Sequence, residues 1–425
     1  MYGIYIHIPF CVRKCPYCDF YSVASKDDLR TRFLKALKNE IRSFEPVEAD
    51  TVYFGGGTPS LLKPSEMSDI IDLLHQHDRI SGDAEISMEC NPASVTKEDL
   101  KEFRKAGINR LSLGCQSFEQ ELLDHLGRLH TAEEAKQTVR DAMDAGFDNV
   151  SVDIMLGIPY ATAETTRRDA DTAASLGVQH ISAYLLKIAE GTPFSRGVDG
   201  IPSDDVQADC YRTFCEEMDR AGYPQYEISN FAKSGFESRH NLKYWECGQW
   251  LGLGPSAHMS DGARRYSFPG DLKSFFATFE EGPIHDPLSA FRPEGIVDAE
   301  EYIIMGLRKD TGISRNVLAR CFEHFFTPDQ EKFMEECEKH GLMKLSGDII
   351  RLTRDGFLLS NSILSELHTI RTGESIFYKR VIPKAYACLR NRQGNLIRKM
   401  RRKKKCQERS EKPSLPPSPC CLCSL

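Results

Sequence analysis

YIHIPFCVRKCPYCDF, residues 5–20, runs from an alternating β-rich segment straight into Cys11, Cys15 and Cys18. Three cysteines within eight positions have ligand spacing. Cys90, Cys115, Cys210, Cys215, Cys247, Cys321 and Cys337 instead stand singly, mostly in apolar patterns. In a reducing compartment free cysteine packs as a small hydrophobe, so core filling is expected for most of the scattered ones. Metal chemistry is expected only of the cluster. Thiolates favour zinc or iron–sulfur centres, and C-x3-C-x2-C can hold three irons of a cubane while the fourth stays open. Structural zinc closes its shell with four protein ligands, and His7 is the nearest candidate for the fourth. Core or disulfide cysteines are a further reading.

The first strand is one of six. GIYIHI (3–8), TVYFG (51–55), EISMEC (85–90), RLSLG (110–114), NVSVDIML (149–156) and HISAYLL (180–186) are short β-rich runs. Helical patterns separate them, such as TRFLKALKNEIRSF (31–44), EEAKQTVRDAMDAG (133–146) and SDDVQADCYRTFCEEMDRAG (203–222). Gly107, Gly146, Gly177 and Gly222 stand where such helices should stop. Alternation of this kind means βα units and a parallel sheet, either doubly wound or an incomplete barrel. Sites in such folds lie at the C-terminal ends of the strands. The cysteines, GGGTPS (55–60), ECNP (89–92), GCQSF (114–118), DIMLGIPY (153–160) and AYLLK (183–187) all fall there. That convergence predicts one composite site.

The remainder of the chain is of other kinds. Residues 226–258 are dense in aromatic, His and Asn side chains. From AEEYIIMGLRK (299–309) the pattern is helical, ending in two short strands around Ser346-Gly347 and a final helix. This predicts a barrel over 1–225, a core-continuing segment over 226–298 and a winged-helix-like α+β accessory domain over 299–367. From His368 onward fifteen Lys or Arg stand against three Glu, although the whole chain carries −7. The body is therefore acidic, which argues against nucleic acid as a partner. The basic run RKMRRKKKC (398–406) fits RNA or anionic lipid, or a solvated disordered tail over 368–425. At 40% hydrophobic and 28% charged the composition is that of a globular protein. No apolar run approaches the roughly 20 residues of a membrane span, and no secretory signal pattern opens the chain. A cytoplasmic protein is expected.

C-x3-C-x2-C with Tyr17 before the last cysteine, and a glycine triplet after the second strand, resembles the radical S-adenosylmethionine (radical SAM) family. The resemblance implies an incomplete parallel (β/α)6 barrel and a [4Fe-4S] cluster on Cys11, Cys15 and Cys18. It also implies S-adenosylmethionine chelating the open iron, where one-electron reduction cleaves it to methionine and a 5′-deoxyadenosyl radical. YIHIPFC, GGGTPS, E-x-NP, GxQSF, LGRLH and DIMLGIP, in that order over about residues 2–365, resemble the coproporphyrinogen dehydrogenase-like branch. Motif matching then implies cofactor contacts from Tyr5, Tyr17, Gly55, Gly56, Gly57, Thr58 and Glu89. Gln116, Arg128 and Asp153 match positions lining the adjoining cofactor or substrate space.

Two branches compete. Oxygen-independent coproporphyrinogen oxidases carry a further cysteine where this sequence has Phe20, and a longer leader. RHNLKYW (239–245) resembles the H-N-x-x-Y-W motif of the haem chaperone branch. That resemblance makes His240 an axial haem ligand candidate, with Asn241, Tyr244 and Trp245 beside it and His258 as a weaker alternative. A satisfied core histidine is the structural reading of the same motif. The expected partners are haem, acceptor haemoproteins such as respiratory enzymes, an electron donor for the cluster, a second copy of the chain and a peripheral membrane surface. Oxidative decarboxylation of coproporphyrinogen III is the alternative function, and a zinc module or a basic-tail nucleic-acid binder stands behind it.

Overall fold

The computed structural model describes residues 1–372; the basic run at 398–406 lies outside them. Six strands alternate with helices as the sequence predicts. They are β1 (Tyr2–Ile8), β2 (Glu48–Gly56), β3 (Arg79–Cys90), β4 (Arg110–Gln116), β5 (Val150–Leu156) and β6 (His180–Leu185). Between them run α1 (Asp27–Ser43), α2 (Pro64–His77), α3 (Lys97–Lys105), α4 (Gln120–Leu126), α5 (Ala132–Asp144) and α6 (Ala163–Ser175), and α7 (Asp204–Ala221) follows β6. Gly107, Gly146, Gly177 and Gly222 all have positive φ at helix ends, the conformation that makes glycine the stop residue.

Strand order decides between the two predicted architectures. The six strands lie in chain order, each parallel to the next, which is the order of an incomplete barrel rather than of a doubly wound sheet. Right-handed crossovers in one direction place the helices in a single outer layer. Accordingly α1 packs on α2, α2 on α3, α3 on α5 and α6 on α7. The sheet does not close. Antiparallel β7 (Asn230–Ala232) edges β6. A seventh parallel strand, β8 (Trp250–Leu253), lies on the other side of β1 and leads to antiparallel β9 (His258–Ser260), β10 (Arg264–Ser267) and β11 (Arg292–Ile296).

Strand alternation sorts the side chains by face. Ile4, Ile6, Val52, Phe54, Met88, Leu111, Leu113, Val152, Ile154, Ile181 and Ala183 are buried in the main core under the helices. The paired residues Tyr53↔Ser87, Ser87↔Arg110, Glu89↔Ser112 and Asp153↔Ser182 occupy the other, inner face. The barrel interior is therefore polar.

Helix α8 (Arg239–Trp245) closes the end of the barrel away from the cysteines. Its first N–H groups, from Arg239 and His240, donate to the Glu85 carboxylate at 3.1 and 3.2 Å, a favourable place for an anion on the helix dipole. After α9 (Leu272–Phe279), which packs back on α1, the chain forms α10 (Ala299–Gly306), β12 (Ile313–Ser314), α11 (Arg315–Phe322) and α12 (Pro328–Lys339). Then come β13 (Met343–Ser346), β14 (Ile349–Leu352), α13 (Arg354–Leu358) and α14 (Ser360–Thr372). The hairpin turns at Gly347, whose φ is +59°, and β14 pairs with both β12 and β13. Ion pairs from Arg354 to Asp219 and from Arg212 to Asp355 fasten this unit to α7. No helix among the described residues is long and apolar enough to cross a membrane.

Of the scattered cysteines, Cys90, Cys115, Cys210, Cys215 and Cys337 are buried, as expected of small hydrophobes. Cys247 is half-buried and Cys321 is exposed, so neither is a core filler.

Candidate metal and cofactor site

The cysteine loop leaves β1 and is tied down at both ends. Val23 N donates to Pro9 O at 2.8 Å and Ser25 N to Cys11 O at 3.1 Å. Phe10 anchors the loop in the core, edge-on to Phe33 at 5.3 Å. Within the loop Cys18 N donates to Cys15 O at 3.1 Å, a turn that brings the second and third cysteines to one side. All three thiols are free and half-buried, and all three line one open cavity of about 290 Å³.

Two of the sulfurs carry donors: Thr58 Oγ1 lies 3.6 Å from Cys11 Sγ and Arg128 Nη1 3.4 Å from Cys15 Sγ. Burial pushes the Cys18 thiol up to about 11. Among the described residues no three His, Cys, Asp or Glu side chains converge tightly enough to share a single ion. A cubane makes a different demand, since each thiolate reaches its own iron. His7 does not serve as a fourth ligand. Its Nε2 meets Tyr21 O at 2.9 Å, its Nδ1 meets Tyr5 OH at 3.1 Å, and burial lowers its pKa to about 4. The donor set, three free thiols with hydrogen-bond donors on sulfur beside a polar cavity, fits a cluster with one iron left open.

The glycine triplet at the end of β2 is required by packing. A Cβ on Gly56, whose φ is +107°, would lie 2.5 Å from the His7 ring. One on Gly57 would lie 2.6 Å from Phe10 O. Gly56 N donates to Glu89 Oε2 at 3.0 Å and Gly57 N to Ile8 O at 2.8 Å, so both N–H groups are committed inside the protein. Glu89 also accepts from Tyr53 OH at 3.1 Å. Burial first, and Asp153 second, raise its carboxyl to about 7. Burial raises Asp153 as well, against hydrogen bonds from Ser112, at 2.9 Å, and Ser182.

Gln116 is re-aimed by a β-bulge. Between Leu113↔Val152 and Gln116↔Ile154 the ladder of β4 holds one residue more than that of β5. Gln116 itself takes φ +69°, an uncommon backbone for a residue with a side chain and one that clusters at functional sites. Its Oε1 accepts from Tyr184 OH at 3.0 Å. Arg128 is no surface cap: Nη2 donates to Gly114 O at 2.7 Å and Nη1 lies 3.3 Å from Tyr17 OH. Burial works against its charge, yet the neighbouring Tyr17 phenol and Cys15 thiol outweigh that and hold its pKa raised.

The three cysteines, Tyr17, Gly56, Gly57, Thr58, Glu89, Gln116, Arg128, Asp153 and Asn241 thus meet at one cavity. Gly55 and Tyr5 stand behind it, with Tyr5 stacked on the lining residue Tyr53 at 6.2 Å.

His240, Tyr244 and Trp245 are not at the cavity, and the structure corrects the haem expectation for them. The His240 ring is fully buried beneath the barrel. Its Nδ1 meets Thr51 Oγ1 and its Nε2 meets Tyr244 OH, both at 2.8 Å. Burial, with Lys243 and Arg110 nearby, lowers its pKa to about 3. No nitrogen is left for iron. Tyr244 packs edge-on to Trp250 at 4.8 Å, and Trp245 lies under the Arg308 guanidinium at 5.6 Å, so neither ring offers a face to a porphyrin. His258 is half-buried and paired with Glu294 at 3.1 Å.

Arg110, Tyr53, Ser112, Ser182, Tyr184 and Asn230 also line the cavity and were not singled out from sequence. Arg110 is 1% exposed with Nε and Nη1 unpartnered. The available signal was period two: polar residues at alternate positions of otherwise apolar parallel strands.

Comparison with known proteins agrees with this geometry. Residues 5–173 match the model of the Radical SAM superfamily. A Bacillus subtilis protein named heme chaperone HemW is 33% identical over 85% of this chain and 98% of its own length. Heme chaperone HemW of Mycobacterium tuberculosis is 34% identical over 86% and 94%. The mitochondrial radical S-adenosyl methionine domain-containing protein 1 of Bos taurus is 31% identical over 86% and 87%. Among solved structures, coproporphyrinogen III oxidase (HemN) of Escherichia coli superposes with a TM-score of 0.73 over 87% of this chain and 90% of that one. At 22% identity this supports the fold. The chain belongs to the radical SAM superfamily, in its HemN/HemW-like family.

Proposed function

We propose that this chain carries a [4Fe-4S] cluster on Cys11, Cys15 and Cys18 with S-adenosylmethionine in the adjoining cavity. We further propose that it binds haem and delivers it to acceptor haemoproteins. The observation that carries the reading is three free thiols opening onto a polar cavity in a chain that matches a heme chaperone over 85% of its own length and 98% of the relative's. When bound, the cluster supplies one-electron reduction of the sulfonium.

The chain's own residues have distinct tasks. Arg128 sets a fixed positive charge against Cys15 Sγ, favouring the reduced cluster. With the N–H groups of Gly56 and Gly57 committed, the carbonyls of the triplet are the main-chain groups left for a ligand ammonium. Asp153 and Gln116 offer acceptors to hydroxyl groups. The loop over the cavity, carrying Tyr17 and half-exposed Phe20, limits water at the sulfurs. Cytoplasmic residence and an electron donor belong to the same reading, as does a division into 1–225, 226–298 and 299–367, with α14 running past that last boundary to Thr372.

The test uses anaerobically reconstituted protein, analysed for iron and sulfide, titrated with haem by absorbance, and supplied with coproporphyrinogen III, reductant and S-adenosylmethionine. About four irons per chain, stoichiometric haem binding and no protoporphyrinogen are expected. Full iron and sulfide retained by Cys11→Ser would overturn the cluster. Steady protoporphyrinogen formation would make the protein an oxidase.

A further inference from the structure

Gln116 lines the cavity from a backbone that few residues with a side chain adopt, at φ +69° in the bulge of β4. Such a conformation persists only where the surrounding structure over-determines it. Its amide is oriented as well as placed. Tyr184 OH donates to Oε1 at 3.0 Å, which leaves the Nε2 donors for whatever occupies the cavity. A Cβ on Gly114 would lie 3.0 Å from that nitrogen, so the glycine keeps it uncrowded.

From Gln116 the chain leaves the sheet, passes through α4 and comes back to the cavity at Arg128. The base of this excursion is closed where His130 Nε2 donates to Cys115 O at 3.0 Å. Its start is pinned from the outer helix layer by Asp169, on α6. Ser117 Oγ donates to Asp169 Oδ1 and Oδ2 at 3.0 and 2.8 Å, and Phe118 N donates to Oδ1 at 2.6 Å. Glu119 N in turn donates to Ser117 Oγ at 3.0 Å. The two residues that follow Gln116 are thus held by one carboxylate from a distant part of the chain.

Asp169 is a costly residue for a purely structural tie. It is buried, it has no ion-pair partner within 4 Å among the described residues, and burial raises its carboxyl to about 7 against the donors from Phe118 and Ser117. A buried carboxylate without a cation beside it is harder to accommodate than a neutral side chain of the same shape. Neither Asp169 nor Ser117 is among the residues that line the cavity.

We propose that Asp169 is a positioning residue: through Ser117 and Phe118 it holds the strained turn that aims the Gln116 amide donor at an acceptor atom of S-adenosylmethionine. Asp169 touches no ligand itself and acts only by way of Gln116. The inference rests on the S-adenosylmethionine reading above.

A double-mutant cycle on protein with its cluster reconstituted tests it, with S-adenosylmethionine affinity read by equilibrium dialysis and stability by the thermal midpoint. Asp169→Ala and Gln116→Ala are each expected to weaken binding about tenfold, the worth of one hydrogen bond. The double variant should bind no more weakly than Gln116→Ala alone, although Asp169→Ala lowers the thermal midpoint whichever residue stands at 116. A merely structural Asp169 would instead weaken binding by the same factor with or without Gln116. Ser117→Ala keeps the carboxylate and its bond from Phe118 N. It should give a several-fold loss with the same non-additivity, and it decides the question if Asp169→Ala does not fold. About four irons per chain in each variant verify that the cysteine loop is intact. Losses that multiply, or unchanged affinity in the Asp169 and Ser117 variants, would overturn the positioning role and leave the cofactor reading standing. A wild type that holds its irons and binds no S-adenosylmethionine would overturn both.

Discussion

Arg128 joins the barrel wall to the cysteine loop: Nη1 lies 3.4 Å from Cys15 Sγ while Nη2 donates to Gly114 O at 2.7 Å. A cation hydrogen-bonded to a cluster sulfur stabilises the more negative, reduced state. Arg128→Gln is therefore expected to keep its iron and to lower the cluster midpoint potential by tens of millivolts; a one-electron equilibrium shifts by about 59 mV per tenfold. A redox titration followed by electron paramagnetic resonance measures this, and an unchanged potential would show that the contact is only structural.

His240 fills the base of the barrel so closely that a Cβ on Gly3 would lie 2.9 Å from its ring. His240→Ala removes the ring and both of its buried hydrogen bonds, an expected loss of about 3 kcal/mol. Gly3→Ala should also destabilise, since backbone or ring must shift. Urea denaturation checks both. Full stability of His240→Ala would contradict its role as a core residue.

Gly56→Ala combines a backbone at φ +107° with a Cβ 2.5 Å from His7. The strain is expected to cost at least about 2 kcal/mol and to lower the thermal midpoint by several degrees. A melting curve of the apoprotein is sufficient, because the clash is with protein atoms.

Glu227 is fully buried, with Oε2 unpartnered, and burial raises its carboxyl to about 8, against a hydrogen bond from Ser229 N. A raised folded pKa means that the native state holds the proton more tightly than the unfolded chain. Its contribution to stability is full below about 4.5 and is lost as pH rises through about 8. Each unit of difference is worth about 1.4 kcal/mol. Glu89, raised to about 7, adds in the same direction. Wild-type stability should therefore fall between pH 5 and 8.5, and Glu227→Gln should flatten that fall. Parallel profiles for the two proteins would refute it.

Much of the fold is local and was legible in the chain. Six β-rich runs, the helices between them and the stop glycines each follow from periodicity within about ten residues, and parallel pairing follows from their alternation. The cysteines, the glycine triplet, Glu89 and Gln116 at strand ends were legible for the same reason, whereas Arg128, in the loop after α4, and Asp153, in the middle of β5, were reached through the family resemblance.

Long-range packing was not. β8 pairs with β1 across some 245 residues, and no local pattern encodes that partner. The motif RHNLKYW gives the same residue types whether it faces a porphyrin or plugs a barrel. Only the Glu85 carboxylate waiting at the N-terminus of α8, and Thr51 opposite His240, turn it inward. Arg110, at the start of β4, is buried only because the inner face assembles around it. Sequence by itself determined the cysteine loop and the succession of β-runs and helices, because both are written in nearest neighbours, and the order of the strands in the sheet was decided by the structure. Tertiary structure alone decided which polar side chains face the cavity and that His240 is buried, because burial is a property of the whole assembled sheet.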